Sequence, residues 1–192
     1  ICAGLNRVYF HTFTCSPAEQ GIPGQEYFAG THVNPRVTWW SKSAPFIDYM
    51  HRVQMLAQEG TFVADVLYYY GDHVPNVYPF KHSDMPGAMF GFDYDVTDEN
   101  ILMKLGVEDG DIVVPGGRRY KVLVLPDHRV LSLPVLKKLE MLVKEGASVL
   151  GPKPQKAISL SGGEKGVAEF KELADLLWGT TTGTTGQNQY GK

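Results

Sequence analysis

The most regular run of apolar positions in the chain covers residues 62–72, with the sequence FVADVLYYYGD. β-Branched and aromatic side chains dominate the run, and Gly71 lies near its end. A helical pattern ends just upstream at Gly60, and this composition directly after a helix is typical of a buried parallel strand. Ligands bind at the carboxyl ends of strands in barrels and open α/β sheets. We therefore expect Asp72 and His73 to lie near a site.

The stretch before this strand predicts a helix over residues 43–60. Ser43 is a suitable N-cap, and Pro45 suits the first turn. Apolar residues recur at helical spacing within it, namely Phe46, Ile47, Met50, Val53, Leu56 and Ala57. Residues 5–14 are a candidate strand, and residues 15–34 form a long loop of the kind that is often functional. Strand, loop, helix and strand together predict a right-handed βαβ unit.

The second part of the chain, residues 92–192, again alternates strand and helix patterns after an irregular crossing over 72–91. The predicted elements are a short helix from Thr97, a hairpin over 107–125 that turns at 115–117, a buried strand in its second arm, a helix over 133–145, a strand over 148–151 and a helix over 167–178. This alternation predicts an α/β fold with a small doubly wound sheet that begins near residue 110.

Composition and charge exclude several classes of function. Of the 192 residues, 43% are hydrophobic and 20% are charged, which is typical of a globular protein. The formal net charge of −3 and the lack of a Lys/Arg cluster argue against nucleic acid as a partner. No apolar run approaches the roughly 20 residues of a membrane span, so no membrane partner is expected. The chain opens without Met in strand-like sequence, so we interpret it as an internal piece whose compartment stays unknown.

Cofactor motifs are not recognisable. The six His residues include no pair at i, i+4, so no metal site is predicted from the residues alone. No Gly-rich motif lies between a strand and a helix, which excludes a nucleotide. The second part resembles the class I glutamine amidotransferase-like fold, whose active members carry a Cys after a strand. No Cys follows Cys15, so this part is predicted to be structural.

Sugar chemistry fits the remaining candidates. Saccharides bind to aromatic faces and to polar side chains, and hydrolysis of a glycoside needs two carboxyl groups. The candidate substrate-binding residues are His11, His32, Asn34, Trp39, Trp40, Tyr70 and His73, and the candidate catalytic residue is Asp72. Two alternatives stay open, since the tryptophans could pack in the core at the helix entry and His11 could be a structural histidine.

Four blocks of sequence in this order resemble glycoside hydrolase family 106, the α-L-rhamnosidase-like enzymes. The blocks are NRVYFHTFTCSP, PGQEYFAGTHVNPRVTWW, YMHRVQMLAQEGTFVADVLYYYGDHVPN and GFDYDVTDE. The resemblance extends over residues 4–178. It implies that residues 1–91 are the last βα units of a (β/α)8 barrel. Residues 92–192 would be a flavodoxin-like or amidotransferase-like accessory domain, truncated at its end.

The same resemblance implies hydrolysis of terminal α-L-rhamnose with inversion, by a pair of glutamates with a calcium ion nearby. These glutamates would lie upstream of Ile1, so the chain would form one wall of a sugar pocket and pack against the missing part of the barrel. The family pattern has Glu where Asp72 stands, and the shorter side chain favours contact with sugar or calcium. A bacterial enzyme of this kind, degrading polysaccharides, would be periplasmic or secreted.

Two other functions remain open at this stage. Because the chain holds no nucleophile and no paired glutamates, it could be a non-catalytic carbohydrate-binding or structural α/β module. It could also belong to a glycosidase with another sugar preference, such as a galactosidase, since a fold does not fix a substrate.

Overall fold

The computed structural model describes residues 1, 4–11, 14–22, 24–25, 27–28, 33–76, 91–158 and 162–179. The chain forms two compact units, Ile1–Thr61 and Phe62–Lys192.

The first unit contains the predicted long helix. Two short 3-10 helices, Ala18–Gln20 and Trp40–Lys42, precede α1, which covers Ala44–Glu59. Ser43 is the N-cap residue, as predicted, although its side chain makes no capping hydrogen bond. Apolar spacing and an early proline were therefore sufficient to locate this helix.

The predicted strand over residues 5–14 is wrong in the part of it that the structure describes, because residues 5–11 and 14 form no strand. Side chains of α1 hold this segment instead. The Val8 N–H donates to Gln54 Oε1 at 2.6 Å, and Gln58 Nε2 donates to the carbonyl of Asn6 at 2.9 Å. Local hydrogen bonds to amides satisfy the backbone that a partner strand would otherwise have paired, so the predicted βαβ unit does not form here.

The second unit holds the strands of the described chain. They are β1 (Val66–Tyr69), β2 (Tyr94–Thr97), β3 (Gly106–Glu108), β4 (Asp111–Val113), β5 (Arg119–Tyr120), β6 (Val122–Val124), β7 (Val130–Leu131), β8 (Val149–Leu150) and β9 (Lys156–Ala157). Its helices are α2 (Glu99–Leu102), α3 (Leu133–Lys144) and α4 (Gly163–Trp178). The fold is therefore mixed α/β, and the predicted strand over 62–72 is confirmed over Val66–Tyr69.

A parallel sheet with the order β2-β1-β6-β8 organises this unit. β1 is buried throughout, and Val66 pairs with Tyr94 on one side and Val122 on the other. The chain passes from β1 outward to β2, and then returns to β6 and continues outward to β8. The direction of winding therefore reverses between β1 and β6. The sheet begins with β1, earlier than the predicted start near residue 110.

The compact units divide after Thr61, whereas the sequence suggested a division after residue 91. The reason is that β1 pairs with β2 and β6, so its hydrogen bonds belong to the later part of the chain. Whether the first part comes from a barrel and the second is an accessory domain stays a prediction.

A small antiparallel sheet, β3-β4-β5, contains the predicted hairpin. The Gly117 N–H donates to the carbonyl of Val114 at 2.9 Å, and φ is +101° at Gly116 and +87° at Gly117, which explains the two glycines of the turn. The second arm was predicted to run to residue 125. It ends instead at Tyr120, because β6 leaves to pair in parallel with β1.

The hydrophobic core lies between the parallel sheet and helices α3 and α4. Leu67 and Leu123 from the sheet pack with Leu136 and Leu139 from α3 and Phe170 from α4. The opposite face of the sheet buries a smaller cluster of Val66, Tyr68 and Val124. The alternation of neighbours along β1 is that of a strand buried on both faces. None of the four α-helices in the described ranges is both long enough and apolar enough to cross a bilayer.

Candidate functional site

The loops that follow β1 and β6 meet at the carboxyl edge of the parallel sheet. Gly71 has φ +95°, and a Cβ atom there would lie 2.9 Å from Cγ of Pro126. Only glycine fits both the backbone angle and this close approach. The contact brings two similar sequences together, since Gly71 is followed by Asp72 and His73, and Pro126 by Asp127 and His128.

Asp72 joins the end of β1 to the start of α3. Its Oδ1 accepts a hydrogen bond from the Tyr69 hydroxyl, and its Oδ2 accepts from the backbone N–H of Ser132 at 2.6 Å. Ser132 in turn caps α3, because its Oγ accepts from the Val135 N–H at 3.4 Å. Burial, followed by the hydrogen bond to Asp72, raises the pKa of Tyr69. Both carboxylate oxygens of Asp72 therefore already accept hydrogen bonds from other groups of the protein. A catalytic role for Asp72 stays a prediction.

Tyr70 and Asn76 close the loop after β1 on itself. The Tyr70 hydroxyl donates to the carbonyl of Asn76, and Asn76 Nδ2 donates back to the carbonyl of Tyr70. The same Nδ2 lies 3.4 Å from the carbonyl of Gly71. These reciprocal bonds fix the loop that carries Asp72 and His73.

His73 and His128 form a ring contact between the two loops. Their ring centroids lie 3.4 Å apart with an interplanar angle of 38°. Burial, followed by the nearby His73, lowers the pKa of His128, while Asp127 acts in the opposite direction. His73 Nδ1 is buried and has no hydrogen-bond partner among the described residues. A buried polar atom without a partner costs about 1–3 kcal/mol of folding free energy.

A cavity of about 480 Å³ opens beside these loops. Its lining includes Tyr70, Asp72, His73, Asn76, Asp98, Glu99, Asn100 and Ser132. Asp98 is the N-cap of α2, and its two oxygens accept from the Ile101 N–H at 3.0 Å and from Asn100 Nδ2 at 3.2 Å. These bonds lower the pKa of Asp98.

A second cavity, of about 510 Å³, lies between β2 and the turn of the small antiparallel sheet. The Tyr120 hydroxyl donates to Asp95 Oδ2 at 2.6 Å, and Arg118 Nη1 lies 3.3 Å from the same oxygen. Burial and the hydrogen bond to Asp95 raise the pKa of Tyr120. Tyr120, Arg118 and Asp95 of this cavity thus pair with one another.

The remaining candidates belong to the first unit. Asn34 is 5% exposed, and its Oδ1 accepts from the Arg36 N–H at 2.8 Å, so its side chain stabilises a turn. Trp39 is 40% exposed and lies 6.2 Å from Trp40, between ring centroids. His11 is exposed. Contacts of these residues with sugar stay predictions.

Two parts of the predicted sugar pocket are not tested by this geometry. His32 lies outside the described residues. The predicted common rim of His11, Trp39 and Asp72 is a relation between the two units, and it stays a prediction.

The comparison with known families decides the classification. The model of the α-L-rhamnosidase family, glycoside hydrolase family 106, matches residues 1–192, which is the whole chain. The chain belongs to this family. The resemblance of the four sequence blocks is thereby confirmed.

The chain of glycoside hydrolase family 106 is also similar to a curated protein and to a solved structure. A curated protein of Formosa agariphila named "Putative beta-glucuronidase" is 40% identical over 176 residues, which is 92% of this chain and 15% of that protein. The solved structure of a rhamnosidase from Novosphingobium sp. PP1Y superposes with a TM-score of 0.73 at 31% identity, covering 93% of this chain and 17% of that one. The chain therefore spans less than a fifth of the length of either relative.

The calcium ion implied for the family has no recognisable group of ligands among the described residues. The described ranges hold no group of three or more His, Cys, Asp or Glu side chains placed to bind a metal ion. Asp72, the residue considered for calcium contact, already accepts hydrogen bonds from Tyr69 and Ser132. Calcium stays a prediction for the whole family 106 protein.

Sequence reasoning missed His128, Asn76 and Ser132. A signal for His128 was present, because both VLYYYGDH and KVLVLPDH end a buried strand with Asp-His. Two such endings on neighbouring parallel strands must meet at one edge of the sheet. The roles of Asn76 and Ser132 depend on loop contacts across the fold and left no local pattern.

Proposed function

We propose that the full-length protein is a glycoside hydrolase that removes terminal α-L-rhamnose from glycans or glycosides. The observation that carries the proposal is the match of the α-L-rhamnosidase family model to the whole chain. The structural similarity to a rhamnosidase at 31% identity supports it. In this proposal an acid and a base, about 6.5–9.5 Å apart, protonate the leaving oxygen and activate water. Both carboxyl groups belong to a part of the protein upstream of Ile1.

This chain would contribute binding rather than proton transfer. Trp39 and Trp40 present adjoining rings, and the 40% exposure of Trp39 leaves a face for a sugar to stack on. His11, His32 and Asn34 would contact hydroxyl groups. Asp72 would shape the site by holding β1 against α3, because its oxygens already accept two hydrogen bonds.

The activity is tested by assaying the full-length protein on aryl α-L-rhamnosides beside aryl β-glucuronides. The second substrate is included because the relative from Formosa agariphila carries a glucuronidase name. We expect hydrolysis of the rhamnoside with inversion at the anomeric carbon, followed by proton NMR. Turnover of the glucuronide alone would contradict the proposal.

The role of Trp39 is tested by Trp39→Ala in the same protein. Loss of ring stacking is expected to raise KM about three- to tenfold with little change in kcat. Tyr49→Ala is the control, since Tyr49 is an exposed aromatic residue on α1 outside the proposed site. Equal kinetic constants for the two variants would show that Trp39 does not bind the sugar.

The second candidate function is a non-catalytic carbohydrate-binding or structural module. One observation favours such a module for residues 62–192. Asp72 and Asp98 at the cavity each accept hydrogen bonds within the protein through both carboxylate oxygens. Titration of residues 62–192 with rhamnose-terminated oligosaccharides separates the two forms of this alternative. Binding favours a carbohydrate-binding module, and no heat of binding favours a structural one.

A further inference from the structure

The cavity of about 480 Å³ lies at the carboxyl edge of the parallel sheet, where the loop that follows β1 meets the residues that follow β2. Open α/β sheets bind ligands outside the carboxyl ends of their strands. The cavity volume is within the range of about 300–1,000 Å³ found for sites of small ligands. Position and size thus both indicate a binding site.

The groups that line the cavity offer donors and acceptors together. The Glu99 carboxylate is exposed and has no hydrogen-bond or ion-pair partner in the described ranges. Asn100 donates through Nδ2 to Asp98, which leaves its Oδ1 as an acceptor. Ser132 Oγ accepts from Val135 and keeps its own O–H to donate. A mixture of this kind suits hydroxyl groups, each of which both donates and accepts.

Charge disfavours an anionic ligand. Asp72, Asp98 and Glu99 line the cavity, and no Lys or Arg residue is among the lining residues that the structure describes. A metal ion is disfavoured too, because the described side chains do not form a metal-binding group. The ligand that fits is uncharged and rich in hydroxyl groups.

His73 lines the cavity and has a ring nitrogen that is unsatisfied among the described residues. Its Nδ1 is buried without a partner within the described part of the chain, although the side chain lies at the cavity. His128 packs on the ring of His73 from the neighbouring loop and does not itself line the cavity. The lowered pKa of His128 agrees with a neutral ring in that contact.

We propose that this cavity binds a neutral glycosyl unit of the substrate beyond the bond that is cleaved. Its hydrogen-bonding residues are His73, Glu99 and Asn100, and His128 is a positioning residue that holds the His73 ring. The proposal rests on the proposed function in one respect, namely that the ligand is part of the glycan that the enzyme hydrolyses.

The test compares two substrates of the full-length protein, an aryl α-L-rhamnoside and a neutral trisaccharide with a terminal α-L-rhamnosyl unit. Glu99→Gln and His73→Gln are expected to raise KM for the trisaccharide about tenfold, since each loses a hydrogen bond that involves a charged or buried group. In Glu99→Gln, both constants for the aryl rhamnoside should stay within about twofold. The matched controls are Glu164→Gln and His51→Gln, because both residues are exposed and lie outside the cavity.

The positioning role of His128 has its own comparison. His128→Ala should raise KM for the trisaccharide with kcat unchanged, whereas His128→Phe, which keeps a ring against His73, should restore KM to within about twofold. A fall of kcat on both substrates in His128→Ala would indicate a general structural role and would overturn this part of the proposal.

Failure of the inference is distinct from failure of the proposed function. If neither substrate is hydrolysed, the proposed function fails, and binding of the trisaccharide is measured by saturation-transfer NMR. Signals that the unmodified protein gives and Glu99→Gln loses would still support the site. Equal KM values, or equal NMR signals, for Glu99→Gln and Glu164→Gln would overturn it. Tighter binding of a uronate-containing trisaccharide would also overturn it, because the cavity is argued to reject anions.

Discussion

At the scale of single residues, Asp72 connects two segments that are far apart in sequence. It accepts hydrogen bonds from Tyr69 on β1 and from the backbone of Ser132 before α3. Hydrogen bonds to a charged acceptor contribute about 1.5–3 kcal/mol each. Asp72 therefore has a stabilising role in addition to its position at the end of a strand.

Replacing Asp72 by Ala should loosen the start of α3 locally. The Ser132 N–H loses its acceptor, so amide exchange in residues 130–136 should become about 10- to 100-fold faster. Hydrogen-exchange mass spectrometry of the full-length protein measures this change. Asp127→Ala is the control, because Asp127 is exposed and lies in the neighbouring loop without a hydrogen-bond partner in the described ranges. Equal exchange in both variants would show that Asp72 does not hold the helix.

His128 should make stability depend on pH. Its pKa in the folded protein lies below the ordinary value of about 6.5, so below that pH the unfolded chain binds a proton that the folded chain binds less well. Stability therefore falls as pH drops from about 6.5 through the lowered pKa. We expect the thermal midpoint to decrease between pH 7.5 and pH 5, and His128→Gln to reduce that decrease relative to His51→Gln. If the thermal midpoint of His128→Gln fell between pH 7.5 and pH 5 as much as that of His51→Gln, the pH dependence would not come from His128.

At the scale of secondary structure, the helices follow from local sequence and the pairing of strands does not. α1, α3 and α4 each carry apolar residues at helical spacing, and Ser132 caps α3 through its own hydroxyl. These signals lie within one turn of the element they define. The predictions of a strand over 5–14 and of a long second arm in the hairpin were wrong, because a strand depends on a partner that is often far along the chain.

Truncation of a buried side chain on α3 should destabilise the second unit much more than truncation of an exposed one on α4. Leu139 is 0% exposed, and Leu139→Ala is expected to cost about 2–5 kcal/mol of the free energy of unfolding. Val167 is 59% exposed, and Val167→Ala should change it by about 0.5 kcal/mol or less. Urea denaturation followed by circular dichroism measures both. Similar midpoints would mean that α3 does not carry the core.

At the scale of the whole molecule, the hydrophobic core belongs to the second unit. All buried hydrophobic residues among those described lie between Ala64 and Leu177, while the buried residues of the first unit are Asn34 and Ser43. A core is what allows a unit to fold alone. The two units should therefore differ in independent stability.

Expression of residues 62–192 alone should give a protein with cooperative thermal unfolding and dispersed amide signals in NMR. Residues 1–61 alone should unfold without a cooperative transition, since no described hydrophobic side chain of that unit is buried. Circular dichroism of both pieces is the measurement. Cooperative unfolding of residues 1–61 would show that this unit is stabilised by something other than a buried core.

The sequence predicted the position of the site in the fold but not its contacts. The pattern of residues 62–72 predicted that Asp72 and His73 would end a buried parallel strand, and both lie at the cavity. The sequence could not give the partners of Asp72, because Ser132 is distant along the chain. The family followed from the order and spacing of four blocks, which no single element contains.

Lys121 is the single residue between β5 and β6, so it connects the small antiparallel sheet directly to the parallel sheet. Its backbone N–H donates to the carbonyl of Asp65 at 2.7 Å, and its Nζ lies 2.7 Å and 2.9 Å from the two oxygens of Asp111. The backbone of Lys121 is therefore bonded next to β1, and its side chain is bonded to β4. Because these contacts tie β4 and the start of β6 to the same residue, we expect the small sheet and the start of β6 to move together.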